Sequence, residues 1–284
     1  MLSRTTELTH FLRSRRAQLS PTAVGLPQTG NRRVPGLKRD ELAGLAGISL
    51  EYYVRIEQGR GHQMSDQVIS SLARALRLGV DERSYFVRLA RPVPADPVDR
   101  GAPQPIGETV LTLLERWREV PAYVFDSNQD IVAINEMADL MCPGLQLYGG
   151  NLVIANFEVA KIAPDNEQII EGARRAVAAL RYYGDPDNPR LREIVGTLST
   201  ENPLFRQLWA EHSATTFANG TVPVSISGEL VEVPWQVLDV PGGFFIVVMP
   251  VVEGTRVHEL FTRLRDTEFT GRPLRGPLVG WPAL

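Results

Sequence analysis

The chain of 284 residues is poor in the side chains that form disulfides and metal centres. Cys142 is its single cysteine, which excludes an intrachain disulfide and a cysteine-rich zinc site. The four histidines, His10, His62, His212 and His258, are dispersed, and no two of them have the spacing of paired metal ligands. We therefore predict no metal and no other cofactor. Such sparing use of cysteine is typical of the reducing cytoplasm.

Long apolar runs are absent as well. No stretch approaches the roughly 20 apolar residues that a membrane-spanning helix needs, and the first residues lack the apolar core of a signal peptide. These two absences predict a soluble cytoplasmic protein that has no membrane partner.

The sequence also lacks the common motifs of catalysis. It contains no Gly-x-Ser-x-Gly nucleophile elbow and no glycine-rich loop for binding phosphate. We therefore predict no catalytic residues and expect that the protein is not an enzyme.

Positive and negative charge are divided unevenly between the two parts of the chain, whose formal net charge is −3. Residues 1–91 contain 15 Lys or Arg against 8 Asp or Glu, a net charge of +7, whereas residues 92–284 contain 15 against 25, a net charge of −10. A basic first part suits a polyanion, and an acidic second part should stand away from it. The length allows two domains, each with its own core.

The stretch from Leu37 to Gly61 has the pattern of two helices joined by a tight turn. In the first helix, Leu42, Leu45 and Ala46 recur at the spacing that keeps them on one face. Gly47 then ends this helix, because glycine readily adopts the left-handed backbone that follows a helix end.

The second helix of this stretch is predicted to begin at Ser49, whose hydroxyl is well placed to cap it. Its buried side consists of Tyr53 and Ile56. Its free side, available for another molecule, consists of Leu50, Glu51, Tyr52 and Arg55.

ELAGLAGIS followed by YYVRIEQGR resembles the helix-turn-helix of the Xre type, the DNA-binding domain of phage-repressor-like proteins. The resemblance implies an all-α domain of five helices over residues 1–91. In such a domain, the second helix of the helix-turn-helix reads double-stranded DNA. The alternative is a pair of helices in an ordinary helical domain, since a motif match is only a hypothesis.

The chemistry of the free side suits base edges. Arg55 can bond both acceptors of a guanine, Glu51 can accept from a cytosine amine, and Leu50 can touch a thymine methyl group. The predicted DNA-binding residues are Ser49, Leu50, Glu51, Tyr52 and Arg55 in the helix, with Arg32, Arg33, Arg39 and Arg60 on phosphates. The connection that carries Arg32 and Arg33 is predicted either as a basic wing on the DNA backbone or as a surface insertion.

A change of composition marks a second domain. Residues 92–105 contain five prolines and predict an extended linker. Strands are expected on both sides of a turn at Asp126 to Asp130. Residues 266–284 are expected to form an irregular tail. Further strands are expected at 222–227, 229–238 and 243–252, and helices at 166–182, 189–198, 203–212 and 256–265. Two strands, helices and three strands are the order of a PAS-like α+β fold, predicted for residues 106–265.

The segment ALRYYGDPDNPRLREIVGTLSTENPLFRQLWAEHSA, residues 179–214, resembles the ligand-binding domain that follows an Xre domain in MmyB-like regulators. The arginine, the Asp-Pro pair and the Phe-Arg-x-Leu-Trp element carry the resemblance. It implies a bacterial transcription regulator whose second domain senses a small hydrophobic ligand, with an acyl chain as one candidate.

All four tryptophans and eight of the ten phenylalanines follow residue 91. Such aromatics line ligand pockets and also fill ordinary cores, and sequence alone does not separate the two. The predicted ligand-binding residues are Tyr123, Asn135, Trp209, His212 and Trp235. We further predict a homodimer on a palindromic operator. The alternatives are a second domain that binds only proteins, or an enzyme with a vestigial helix-turn-helix.

Overall fold

The computed structural model describes residues 3–27, 32, 34–60, 64–91, 106–217, 219–274 and 276. The chain divides into two compact units. The first unit contains Met1–Gly101, Asp185–Glu193 and Gln207–Thr215, and the second contains Ala102–Gly184, Ile194–Arg206 and Thr216–Leu284. The predicted linker at 92–105 lies outside the described residues.

The amino-terminal part of the first unit is helical. Its elements are α1 (Arg4–Gln18), a 3-10 turn (Thr22–Val24), α2 (Arg39–Ala46), α3 (Leu50–Glu57), α4 (Asp66–Ala75) and α5 (Val80–Ala90). Three of these helices are capped at their N-terminus by a serine. The side chains of Ser3, Ser49 and Ser65 each accept a hydrogen bond from a backbone N–H of the first turn. The predicted cap at Ser49 is thus confirmed.

The core of this unit is built from side chains that several helices bury completely. They are Phe11, Leu12, Leu42, Tyr53, Ile56, Leu72 and Phe86. One expectation for α2 was wrong, because Leu45 is 39% exposed while Ala43 is buried. Successive helical residues turn by about 100°. A buried stripe formed by Leu42, Ala43 and Ala46 therefore leaves Leu45 outside its edge.

The second unit combines helices with one antiparallel sheet. In chain order, the elements from Glu108 onward are α6 (Glu108–Arg116), β1 (Ala122–Asp126), β2 (Ile131–Ile134), α7 (Glu136–Met141), α8 (Gly144–Leu147), α9 (Leu152–Ile162) and α10 (Glu167–Tyr183). Then come α11 (Pro189–Glu201), α12 (Pro203–Ala210), β3 (Gly220–Ile226), β4 (Glu229–Val240), β5 (Phe244–Val248) and α13 (Arg256–Glu268). Residues 189–193 of α11 and 207–210 of α12 belong to the first unit. The predicted strands before and after the helices are confirmed.

The sheet of the described residues has the strand order β2-β1-β5-β4-β3, and every neighbouring pair is antiparallel. Successive side chains of a strand point to opposite faces, so β1 contributes to two apolar clusters. Tyr123 and Phe125 lie in a cluster with side chains of α7 and α13. Val124 lies on the other face with Leu114 of α6 and Ile246 of β5.

Helix α9 was not predicted from the sequence. Asn151 caps it by accepting hydrogen bonds from the backbone N–H groups of Val153 and Ile154. Five of its eleven residues are buried, and apolar side chains occur almost all round it, so the sequence lacks the one-sided spacing by which an amphipathic helix is recognised.

Candidate nucleic-acid interface

Gly47 shapes the turn between α2 and α3. Its φ angle is 66°, in the left-handed region, and its backbone N–H bonds to the carbonyl oxygens of Ala43 and Gly44. The N–H of Ile48 also returns to the oxygen of Ala43, at 3.0 Å. These bonds satisfy the free carbonyls at the end of α2. Helix α3 therefore begins at a defined angle to α2.

The predicted base-contacting residues lie together around the exposed side of α3. Ser49, Leu50, Glu51 and Arg55 are exposed, and Tyr52 is half-buried. Tyr53 and Ile56 are completely buried on the opposite side, as their positions in the sequence predicted. The exposed side of helix α3 thus carries both polar and apolar side chains. Its contact with DNA stays a prediction.

A buried carboxylate fixes the end of α3. The side chain of Glu57 is 0% exposed, and its Oε1 accepts hydrogen bonds from Nε and Nη2 of Arg16, at 3.2 and 2.9 Å. Its Oε2 accepts from Nε of Arg39. Burial works to lower the pKa of Arg16, but the hydrogen bond and the charge of Glu57 outweigh it, so that pKa is raised. This charge-assisted pairing ties α3 to α1 and α2.

Arg39, predicted to contact phosphate, therefore has a structural partner as well. Its side chain is nevertheless 45% exposed. A guanidinium carries five N–H donors, and in the described part of the chain only Nε of Arg39 donates a hydrogen bond. Arg39 can thus hold Glu57 and still present donors to a phosphate.

The other predicted phosphate contacts differ in their surroundings. Arg60 is exposed. Arg32 forms a two-pronged ion pair, because Nη1 and Nη2 each donate to one oxygen of Glu41 at 2.7 Å, and its side chain is 7% exposed. A contact of Arg32 with phosphate would require its release from Glu41. Arg33 lies outside the described residues.

The ionisation of Glu41 makes the stability of the first unit depend on pH in the acidic range. The hydrogen bond from Arg32 lowers the pKa of Glu41 to about 2, from an ordinary value of 4.5. A depressed pKa means that this stabilisation is complete above pH 4.5 and is lost as the pH falls from 4.5 to 2. We expect Glu41→Gln to reduce the acid-induced loss of stability in that window, measured as the free energy of urea unfolding at several pH values. Glu51→Gln, at an exposed site, is the control, and equal curves for the two variants would contradict this role.

Two predicted ligand-binding residues lie in the same apolar cluster of the sheet. Tyr123 of β1 is buried there, which raises its pKa, and Trp235 of β4 packs against the cluster. Trp235 lies opposite Gly220, where an added Cβ atom would be only 3.2 Å from the indole ring. A side chain larger than glycine at this position of β3 would force the indole ring to shift by a few tenths of an ångström.

Asn135 has a different environment from these two residues. Its Oδ1 accepts from the backbone N–H groups of Ala122 and Ala138, and its Nδ2 donates to the carbonyl oxygens of Trp117 and Val120. An asparagine amide offers two donors and one oxygen with two lone pairs. The backbone of the second unit therefore uses the whole hydrogen-bonding capacity of this side chain.

The last two predicted ligand residues, Trp209 and His212, belong to the first unit. The ring of His212 lies 5.3 Å from that of His10, and its carbonyl oxygen accepts a hydrogen bond from Nη2 of Arg15 at 2.9 Å. The five predicted ligand residues are therefore divided between the two units.

A cavity of about 490 Å³ in the second unit was not predicted. It lies between α6, the start of α7 and the segment after α13. Its lining comprises Thr112, Leu114, Glu115, Arg116, Arg118, Asn135, Glu136, Phe269, Gly271, Arg272, Pro273 and Leu274. Asn135 is the member of this lining that the sequence had singled out.

Two kinds of feature are absent from the described ranges. No group of three or more His, Cys, Asp or Glu side chains in them could hold a metal ion. No helix there is both long and apolar enough to cross a bilayer.

Two family models match the chain. Residues 7–86 match a helix-turn-helix domain, and residues 106–264, more than half of the chain, match the MmyB-like transcription regulator ligand binding domain. The chain belongs to the family of MmyB-like transcription regulators. No curated protein matches it.

This MmyB-like regulator combines a helix-turn-helix with a ligand-binding domain, and both resemblances seen in the sequence are confirmed. The combination is that of a DNA-binding transcription regulator. The ligand-binding region extends from α6 into α13 and contains the whole sheet.

Proposed function

We propose that this MmyB-like regulator recognises a specific operator sequence through the exposed side of α3. The observation that carries the proposal is the contrast between the two sides of this helix. Leu50, Glu51 and Arg55 are exposed, whereas Tyr53 and Glu57 are buried and held by neighbouring helices. A rigid helix with an exposed polar side suits the major groove, which accommodates one α-helix.

Arg55 is the residue to test first. We expect Arg55→Ala to cost about 1–3 kcal/mol of binding free energy and to relax base preference at one position of the operator. The operator is selected from random DNA with the wild-type protein. Affinities for it and for its single-base variants are then measured by fluorescence anisotropy.

Arg60→Ala is the matched control for this experiment. It removes an exposed arginine outside α3 and should weaken binding to all DNA sequences alike. The slope of log affinity against log salt should fall by about one, as expected for the loss of one phosphate contact. If Arg55→Ala lowers the affinity for every DNA sequence equally, Arg55 is not a base-contacting residue.

We propose further that two copies bind as a homodimer. A single recognition helix reaches base edges with only three or four side chains, and one small module gives limited specificity. Two-fold symmetry would place the two α3 helices about 34–36 Å apart on a palindromic operator. The selected operator should then contain two inverted half-sites. A single half-site bound by a monomer in analytical ultracentrifugation would contradict the dimer.

The second unit, in our proposal, is a PAS-like domain that senses a small hydrophobic ligand. The match to a ligand-binding domain and the order of two strands, helices and three strands support it. A ligand changes DNA affinity only if it binds one conformation more tightly than another. Mass spectrometry of molecules that co-purify with the full chain, followed by their titration into the protein–DNA complex, tests this proposal.

A further inference from the structure

Two segments of the chain belong to the ligand-binding region by sequence and to the first unit by structure. They are residues 185–193 and 207–215, which lie inside the matched region 106–264 and form one compact unit with the helix-turn-helix. The chain enters this unit for the last time at Gln207, inside α12. We call residues 207–215 the contact segment, because the DNA-binding unit holds this part of the ligand-binding region.

Helix α1 holds the contact segment through carbonyl oxygens at the end of α12. The oxygen of Glu211 accepts hydrogen bonds from Oγ of Ser14 at 2.9 Å and from Nη2 of Arg15 at 3.4 Å. It also accepts from Nε2 of Gln18 at 3.3 Å. The oxygen of His212 accepts from Nη2 of Arg15 at 2.9 Å. The last carbonyl groups of a helix lack partners within it, and a positive charge beside them is favourable. Side chains of α1 thus cap α12.

Helix α5 contacts the far end of the same segment. Oγ1 of Thr215 donates to Oδ2 of Asp81 at 2.8 Å. Nη1 of Arg15 also lies 2.5 Å from Oε1 of Glu82 in α5. The guanidinium of Arg15 therefore joins three parts of the first unit, which are α1, α5 and the contact segment.

The backbone of the contact segment is held in a costly conformation. His212 has a φ angle of 53°, in the left-handed region that residues other than glycine seldom adopt. Such a conformation persists only where the surroundings support it, and it is found at switch regions. Here the support includes the bond from Arg15 to the carbonyl oxygen of His212 itself. Release of the segment from α1 would therefore favour a different backbone conformation at His212.

The bonds to the contact segment lie next to the bonds that position α3. Arg15 is followed in α1 by Arg16, whose guanidinium holds the buried carboxylate of Glu57 at the end of α3. A shift of α1 at Arg15 would thus reach Glu57 through one neighbouring residue. Leu50 and Arg55 on the outer side of α3 are exposed while the segment is bound. The contact segment therefore supports the predicted DNA-binding surface and does not cover it.

We propose that the contact segment couples the ligand-binding region to the DNA-binding helix. When the segment is bound to α1 and α5, α3 is held for binding to the operator, and when the segment is released, DNA affinity falls. Arg15 is the positioning residue of this device. The inference rests on the proposed recognition of an operator by α3.

Reciprocity allows a test that needs no small molecule. If the bound segment raises the affinity for DNA by some factor, DNA must stabilise the bound segment by the same factor. Hydrogen exchange of the full-length protein, followed by mass spectrometry, is measured with and without a duplex that carries the selected operator. Peptides covering residues 207–215 should exchange at least about fivefold more slowly with the operator, the lower end of usual coupling between sites.

A double variant tests the contact itself. Ser14→Ala with Thr215→Val removes two hydroxyl donors and leaves the charged pairs of Arg15 and Arg16 in place. In this variant, residues 207–215 should exchange faster without DNA, and operator affinity in fluorescence anisotropy should fall at least about fivefold, since two hydrogen bonds are lost. Arg15→Ala should act in the same direction and more strongly, because it removes hydrogen bonds from a charged donor.

Arg13→Ala is the matched control, because Arg13 is an exposed arginine of the same helix. It should change neither the exchange of residues 207–215 nor the affinity for the operator. Circular dichroism checks that each variant is folded.

Two results would overturn the inference. The first is an operator that binds the wild-type protein and leaves the exchange of residues 207–215 unchanged. The second is a variant, either the double variant or Arg15→Ala, whose contact segment exchanges faster while its operator affinity equals that of the wild type, since the contact is then only structural. In both cases the proposed operator recognition stands. If the wild-type protein selects no operator, that proposed function fails, and this inference fails with it.

Discussion

Glu57→Ala should lower the free energy of unfolding of the first unit by about 3–5 kcal/mol, the usual cost of removing one partner from a buried ion pair. The guanidinium of Arg16 would remain in a site where its side chain is only 15% exposed, without the carboxylate that offsets its burial. Arg39 would lose the same partner. Urea unfolding of the variant and the wild-type protein, followed by circular dichroism, measures the difference.

Glu51→Ala is the matched control because Glu51 lies on the exposed side of the same helix. Its effect should stay within about 0.5 kcal/mol, as is usual for surface substitutions. Glu57→Gln keeps the shape and one acceptor but loses the charge, so its effect should lie between the two. Similar costs for Glu57→Ala and Glu51→Ala would show that the buried pairing does not hold α3 in place.

The helix-turn-helix was predicted well because its determinants are local in sequence. Gly47 ends one helix and Ser49 begins the next, and the buried positions Tyr53 and Ile56 follow from helical spacing. The role of Glu57 was not predicted. Its partner Arg16 is 41 residues away, and the neighbouring sequence gives no sign that the charged side chain of Glu57 will be buried.

The second unit shows the same division between local and distant determinants. The strands on both sides of the turn at Asp126 to Asp130 were recognised from short patterns. The cavity between α6 and the segment after α13 was not, because the bonds that hold this segment join Glu136 to Thr270 and Arg272 across 134 and 136 residues. The sequence predicted only an irregular tail there. Irregular backbone can still be firmly held when a buried carboxylate accepts its N–H groups.

Asn135→Ala should lower the free energy of unfolding of the second unit by about 2–6 kcal/mol, because it leaves the buried N–H groups of Ala122 and Ala138 without this partner, at about 1–3 kcal/mol each. The carbonyl oxygens of Trp117 and Val120, whose bonds to Asn135 are only partly buried, add less. Chemical unfolding of the full chain, monitored by tryptophan fluorescence, gives the measurement.

Asn166→Ala is the control for Asn135, because Asn166 caps α10 by accepting from the backbone N–H groups of Gln168 and Ile169. Loss of a cap alone should cost about 1 kcal/mol. A much larger loss at Asn135 would show that this side chain joins the end of α6, β1 and α7. If the two variants instead cost the same, and Asn135→Ala weakens binding of a co-purified ligand, Asn135 acts as the ligand contact predicted from the sequence.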